Sequence, residues 1–267
     1  FLASTAALST NGFVPTLSGG SIFNSVSDEL IFLVFMIIGG TSIIWHKMIV
    51  TRRFQLAWQE HKESVSAIGL ILAIAAGLFI YNTSFSQTEI GFLRFVFDVA
   101  ATMTTSGVVH NASLGSSVPL LFAMMLAIGG ATTFSTSGGI KLFRLGVMIS
   151  HSLTEARHLI LPNAILPGRL GSQARQSATI KAVWGHFFLF IITVCVGLMG
   201  FSLIGVDFQS AFASSVGSLS SVASLVDSTA FAESHGEAYA LWVTCLALVG
   251  RIEFLVILAA ISHFQQR

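Results

Sequence analysis

The sequence predicts an all-α integral membrane protein made of repeated helix–re-entrant loop–helix units. Three observations carry that prediction. The 267 residues are 54 % hydrophobic and only 9 % charged, against about 25 % charged in soluble domains, and the mean hydropathy is +0.82. Five apolar segments approach or exceed the roughly 20 residues that a helical crossing needs. Between them lie shorter apolar, hydroxyl-rich segments, two of which repeat at one constant offset. With 23 phenylalanines and four prolines the composition is not that of a disordered chain, and at a net charge of +1 the cations form no nucleic-acid-binding patch.

In chain order, the first apolar segment is 30–50, "LIFLVFMIIGGTSIIWHKMIV", and the second is 64–83. The third starts near 117 and runs to about 150, but is interrupted by "GGATTFSTSGGIK" at 129–141. The fourth is 180–206 and the fifth 238–262. Eleven of the thirteen cations fall from the end of span one to the start of two, from the end of span three to the start of four, or after five. The positive-inside rule places those stretches in the cytoplasm. The opposite loops carry Asp28, Glu29, Glu89, Asp207, Glu233 and Glu237. Cys195 and Cys245 lie in apolar runs with no partner at ligand spacing, and read as buried small apolar residues.

The outer segments hold the repeat. An offset of 116 lays "DFQSAFASSVGSLSSVASLV" (207–226) over "GFLRFVFDVAATMTTSGVV" (91–109), placing Ser221 on Thr105 and Ala223 on Gly107. The same offset superposes the flanking spans. The opening "TAALSTNGFV" (5–14) matches the turn of that unit again, with Gly12 in the place of Gly107. About ten apolar residues cannot cross a bilayer but can enter and return. Irregular backbone at that depth is tolerated where it is buried in protein or lines an aqueous cavity. Hydroxyl–glycine turns at the tips of such half-helices leave carbonyls free to replace the water shell of a potassium ion. The units therefore fall at 1–62 (the end of a second unit), 63–155 (a third, with a broken second span) and 156–267 (a connector and a fourth), arranged around a pseudo-fourfold pore. A first unit is expected upstream, since the opening carries neither an initiator methionine nor a basic leader.

These residues resemble the TrkH/TrkG/KtrB family of potassium-transporting membrane subunits, most closely the TrkH type. The resemblance rests on "STNGF" (9–13), "TTSGV" (104–108), "GGATTFSTSGGIK" (129–141), "ARHLILPNAILPGRLG" (156–171) and "GRIEFLVIL" (250–258). It implies uptake of a monovalent cation, usually K+ as the transported ion, with no covalently bound cofactor and no enzymatic reaction. It also implies a multi-pass bacterial inner-membrane subunit of the Trk system. Such a subunit forms a homodimer and is gated by a cytoplasmic nucleotide-binding regulatory subunit of the TrkA-like kind. By position the selectivity-filter turns are Thr10, Asn11 and Gly12, then Thr105, Ser106 and Gly107, then Ser221, Val222 and Ala223. The family has glycine where Ala223 stands, and commonly a glycine near Thr133. The broken third span corresponds to an intramembrane gating loop, with Gly129, Gly130, Thr133, Ser135, Gly138, Gly139 and Lys141. A non-conducting or regulatory protein that keeps the fold is the alternative reading.

Arg251 is the remaining candidate. A guanidinium inside a span is expected to face a cavity or a partner, and the 116-residue offset sets it against Ser135, at the depth of the broken stretch. A pore-facing barrier is expected there rather than a pair with Glu253, which lies on another face of the helix. Asp98 is expected to support its turn by a local hydrogen bond. Asp227 is expected to attract cations at the mouth. "ARHLILPNAILPGRLG" reads either as an amphipathic cytoplasmic docking segment or as an ordinary loop. At Ala223 the turn either holds a left-handed shape under strain or relaxes and turns a carbonyl away.

Overall fold

In the computed structural model the described residues are 2–12, 23, 26–52, 62–85, 90–108, 116–160, 173–226 and 236–252. Asp227, Glu253, the connector at 161–170 and the end of the fifth apolar segment lie outside them. The described elements are ten α-helices and one short 3₁₀ turn. They are α1 (Leu2–Leu8), α2 (Val26–Gly40), α3 (Ile43–Val50), α4 (Lys62–Phe85), α5 (Phe92–Met103), α6 (Leu120–Gly129), α7 (Leu142–Ile160), α8 (Gln173–Ile204), α9 (Phe208–Ser220) and α10 (Gly236–Arg251).

Among the described residues two helices are long and apolar enough to cross a membrane unbroken, Lys62–Ser84 within α4 and Thr179–Ile204 within α8. Both turn apolar side chains outward, as lipid requires. On α8, Phe188, Ile192, Val196, Met199 and Leu203 are exposed at spacings of three and four, while Phe190, Val194 and Phe201 are buried behind them. On α4, Ala67, Ile71 and Ala75 form the buried stripe, and Leu70, Leu72 and Ile80 face out. Cys195 and Cys245 are exposed, not buried. In a membrane chain an apolar run does not imply an interior position, because the outer face is apolar too.

The segment 30–50 is not one straight span. It breaks at Thr41–Ser42, and α2 and α3 meet at 103°. The Gly39–Gly40 pair before the break lets neighbours approach closely: a β-carbon at Gly39 would lie 2.5 Å from the Leu8 carbonyl oxygen, and one at Gly40 2.5 Å from Thr104 Cγ2. The third segment is interrupted as expected, with α6 ending at Gly129 and α7 starting at Leu142.

The half-length helices are the innermost elements. Every residue of α5 from Phe95 to Met103 is buried, as is every residue of α9 from Ala213 to Ser220. Asp207 caps α9 by accepting from the Gln209 amide at 3.2 Å. Helix α5 packs on α4 and α6 of its own unit and on α2 of the unit before; α9 packs on α8 and α10 and on α6 in the same way. Helices α5 and α9 are thus each gripped by the helix before, the helix after and one more distant helix, α2 and α6 respectively. Phe97 anchors the centre, with rings of Phe23 at 5.3 Å and Phe32 at 6.0 Å.

Candidate ion-pathway site

Three helix-ending turns meet at the middle of the molecule. Each places a hydroxyl residue in the left-handed region: Thr10 at φ 49°, Thr105 at φ 59° and Ser221 at φ 62°. Each of these amides donates three residues back, to the carbonyls of Ala7 (3.1 Å), Thr102 (3.2 Å) and Ser218 (3.1 Å). This matches the alignment read from the sequence, position for position. Left-handed backbone is uncommon for non-glycine residues, and its recurrence at three aligned positions marks one motif. All three residues are buried.

The next residues differ between turns. In turn two the Asn11 amide donates to Ala6, and in turn four the Val222 amide donates to Gly217, in both cases five residues back. In turn three that bond is made one residue later, by Gly107, which donates to Ala101 at 2.9 Å and takes φ +58°. Ala223 does not follow Gly107. It opens the 3₁₀ turn Ala223–Leu225 on the negative-φ side, so the turn has relaxed rather than held strain.

The turns also touch. The Gly12 amide donates to the Ser221 carbonyl at 3.4 Å, and the Ser224 amide to the Gly107 carbonyl at 3.0 Å. A β-carbon at Gly12 would lie 2.6 Å from the Ser106 oxygen and 2.7 Å from the Ala223 nitrogen, and one at Gly107 would overlap the Ala223 nitrogen. The three turns are therefore closed onto one another.

The broken stretch 130–141 is tied to this cluster and to the break in the first span. The Gly138 amide donates to Thr105 Oγ1 at 2.7 Å. Thr136 Oγ1 donates to the carbonyls of Leu8 and Gly39, both at 3.0 Å. The Thr132 hydroxyl donates to the Gly40 carbonyl at 3.0 Å, and the Ile43 amide to the Phe134 carbonyl at 3.1 Å. Gly130, Phe134, Gly139 and Lys141 all have positive φ. Hydroxyls thus satisfy backbone groups freed by the breaks. Lys141 Nζ donates to the Ser135 carbonyl at 3.2 Å, across the loop.

Glu63 is a residue that sequence reasoning missed. Its Oε1 accepts from the Thr133 amide (2.7 Å), the Thr133 hydroxyl (3.1 Å) and the Phe143 amide (3.2 Å). Nothing local to Glu63 signals this, since it looks like an ordinary first-turn acid at the start of a span.

Arg251 reaches all the parts at once. Its Nη2 donates to the carbonyls of Thr10 (2.7 Å) and Ser9 (3.2 Å), its Nη1 to Thr136 (2.8 Å), and its Nε to Ser221 Oγ (3.3 Å). It lines a cavity of about 380 Å³ under the loop together with Lys141, Arg144 and His186, and a more open groove of about 450 Å³ between Ser9, Asn11, Ser221 and α10. Asp98 accepts from the Ser117 amide at 2.6 Å. It ties the segment leading into α6 to α5.

No family model matches the chain. Among curated proteins it is 25 % identical over 262 residues to the Trk system potassium uptake protein TrkH of Halomonas elongata, covering 95 % of this chain and 54 % of that protein. It is 25 % identical over 261 residues to TrkH of Escherichia coli K12, covering 96 % and 54 %. A crystal structure of the potassium transporter TrkH from Vibrio parahaemolyticus shares the fold, with a TM-score of 0.79 at 21 % identity over 96 % of this chain and 56 % of that one. The chain spans about half the length of the curated relatives it matches. Over that half it is homologous to Trk-system potassium uptake proteins, and with its membrane-length helices this supports a multi-pass, bacterial inner-membrane location.

Proposed function

We propose that the chain is the C-terminal, pore-forming portion of a channel-like potassium (monovalent cation) uptake subunit. One observation carries the reading: three half-helices end in the same left-handed hydroxyl turn, and the three turns converge above a broken helix. Thr10–Gly12, Thr105–Gly107 and Ser221–Ala223 form three sides of a selectivity filter, where backbone carbonyls take over from water around K+. A fourth turn, from the missing N-terminal pore unit, seats in the groove between Asn11, Ser221 and α10. The loop from Gly129 to Lys141 is the gate beneath the filter, and Arg251 is the charged barrier that couples gate to filter. The subunit forms a homodimer in the bilayer and is regulated by a TrkA-like cytoplasmic nucleotide-binding subunit. No covalent chemistry is involved; K+ is cargo.

The closure of the turns onto one another favours a second reading, a non-conducting or regulatory protein that keeps the fold. The two separate in proteoliposomes holding the assembled subunit, under matched potassium and sodium gradients. A pore passes a monovalent cation above the level of empty vesicles, and Arg251→Ala raises that flux. Flux equal to empty vesicles for both proteins, with correct insertion verified, rejects the pore.

A further inference from the structure

The contact between turns three and four has a specific cause. Turn three and turn four begin identically, with a left-handed hydroxyl residue and a bond three residues back. They part at Gly107 and Ala223. Gly107 adopts φ +58°, and its amide takes the carbonyl of Ala101, six residues back. The matching bond in turn four would run from the Ala223 amide to Gly217. That carbonyl is instead taken by Val222 at 2.7 Å, one residue early, and the chain coils into the 3₁₀ turn Ala223–Leu225.

The early coil redirects polar groups that a filter needs. The Val222 and Ala223 carbonyls accept from the amides of Leu225 (3.2 Å) and Val226 (3.0 Å) within the turn. The Ser224 amide is carried onto the Gly107 carbonyl at 3.0 Å, and the Ser221 carbonyl onto the Gly12 amide at 3.4 Å. Four carbonyls across two turns therefore face backbone donors rather than the axis. Turn two makes the same early bond through Asn11, but Gly12 has no β-carbon and can adopt either form. Alanine enters the left-handed region only against a penalty equivalent to a factor of about five to thirty in population.

We infer that Ala223 locks the fourth turn in the closed form, so that the turn itself, through the Ser224 amide on the Gly107 carbonyl, seals the ion path. The inference rests on the pore reading proposed above. It makes residue 223 the position that sets how often the filter is available to an ion.

The test compares the parent, Ala223→Gly and Ser224→Pro in the assembled subunit. Proline at 224 deletes the sealing amide and disfavours helical backbone at the residue before it, so it probes the seal independently of residue 223. Two readouts are taken: cation flux in proteoliposomes, and the gain in melting temperature on replacing sodium with potassium, since an ion that binds only the folded filter stabilises it. The expected result is a low parental flux, roughly tenfold higher in both variants, with a potassium-specific melting gain in the variants that the parent lacks. If all three conduct equally and show the same potassium-specific gain, the seal is refuted while the pore stands. If none conducts and none responds to potassium, the pore reading falls and the inference with it.

Discussion

Two helices in this molecule break after the same dipeptide, and the breaks have little else in common. In "MIIGGTSI" (36–43) the helix stops at Gly40 and restarts at Ile43, bent by 103°. In "LAIGGATT" (126–133) it stops at Gly129 and restarts only at Leu142. The short break serves itself only in part: the Thr41 hydroxyl donates back to the Ile37 carbonyl at 2.8 Å and the Thr41 amide to the same oxygen at 3.0 Å, while Ser64 and Phe134 accept from the Ser42 and Ile43 amides. The long break cannot serve itself. It borrows the Glu63 carboxylate, the Gly39 and Gly40 carbonyls and the Thr105 hydroxyl. The glycine pair permits a break.

The sharpest way to break this comparison is Glu63→Ala. It strands the Thr133 and Phe143 amides in a part-buried site, and a lost hydrogen bond to a charged group costs about 1.5–3 kcal/mol. Amide exchange should accelerate strongly over 130–143 and hardly at all over 39–43, and the melting temperature in detergent should fall. Equal acceleration of both stretches would mean that the two breaks open as one. Gly40→Ala comes next. Its β-carbon would meet the buried Thr104 side chain at 2.5 Å, and overpacking of this kind costs about 1–3 kcal/mol. It should disturb the short break first, read as a lower melting temperature with protection at 130–143 partly kept. The smallest effect is expected from Thr132→Val, which removes one hydroxyl bond to Gly40 worth about 1 kcal/mol. The loss should be modest, and it should vanish in the Gly40→Ala background if the two positions act through that one contact.

Much of the fold was legible in the sequence because its signals are local or periodic. Spans are runs of apolar residues, and the repeat at 116 residues laid Ser221 on Thr105, which share one left-handed backbone state in the fold. The break at Thr41–Ser42 was missed because a glycine pair inside an apolar run is also compatible with an unbroken span; its mates, Thr132 and Thr136, lie some ninety residues on. Glu63 was missed for the same reason, meeting Thr133 across a separation of 70 residues. The depth of Arg251 was legible from the offset, but its bracing contacts to Ser9, Thr10, Thr136 and Ser221 beside the cavity it lines were not. At Ala223 the residue itself was the signal, and only the outcome, relaxation into a 3₁₀ coil, needed the structure.

The left-handed hydroxyl at positions 10, 105 and 221 bears on how such chains diverge through evolution. Glycine is the usual landmark for a turn of this kind, and a profile keyed to it would keep turns two and three and discard turn four. The hydroxyl position is the steadier landmark. Asparagine and aspartate are several-fold enriched in left-handed backbone, whereas β-branched residues there are outliers, so Thr10 and Thr105 are held in it by their buried surroundings. Drift at positions 10, 105 and 221 should therefore stay within threonine, serine, asparagine, aspartate and glycine. Distant copies of this architecture would be recovered by aligning that narrow alphabet first and letting the glycines vary.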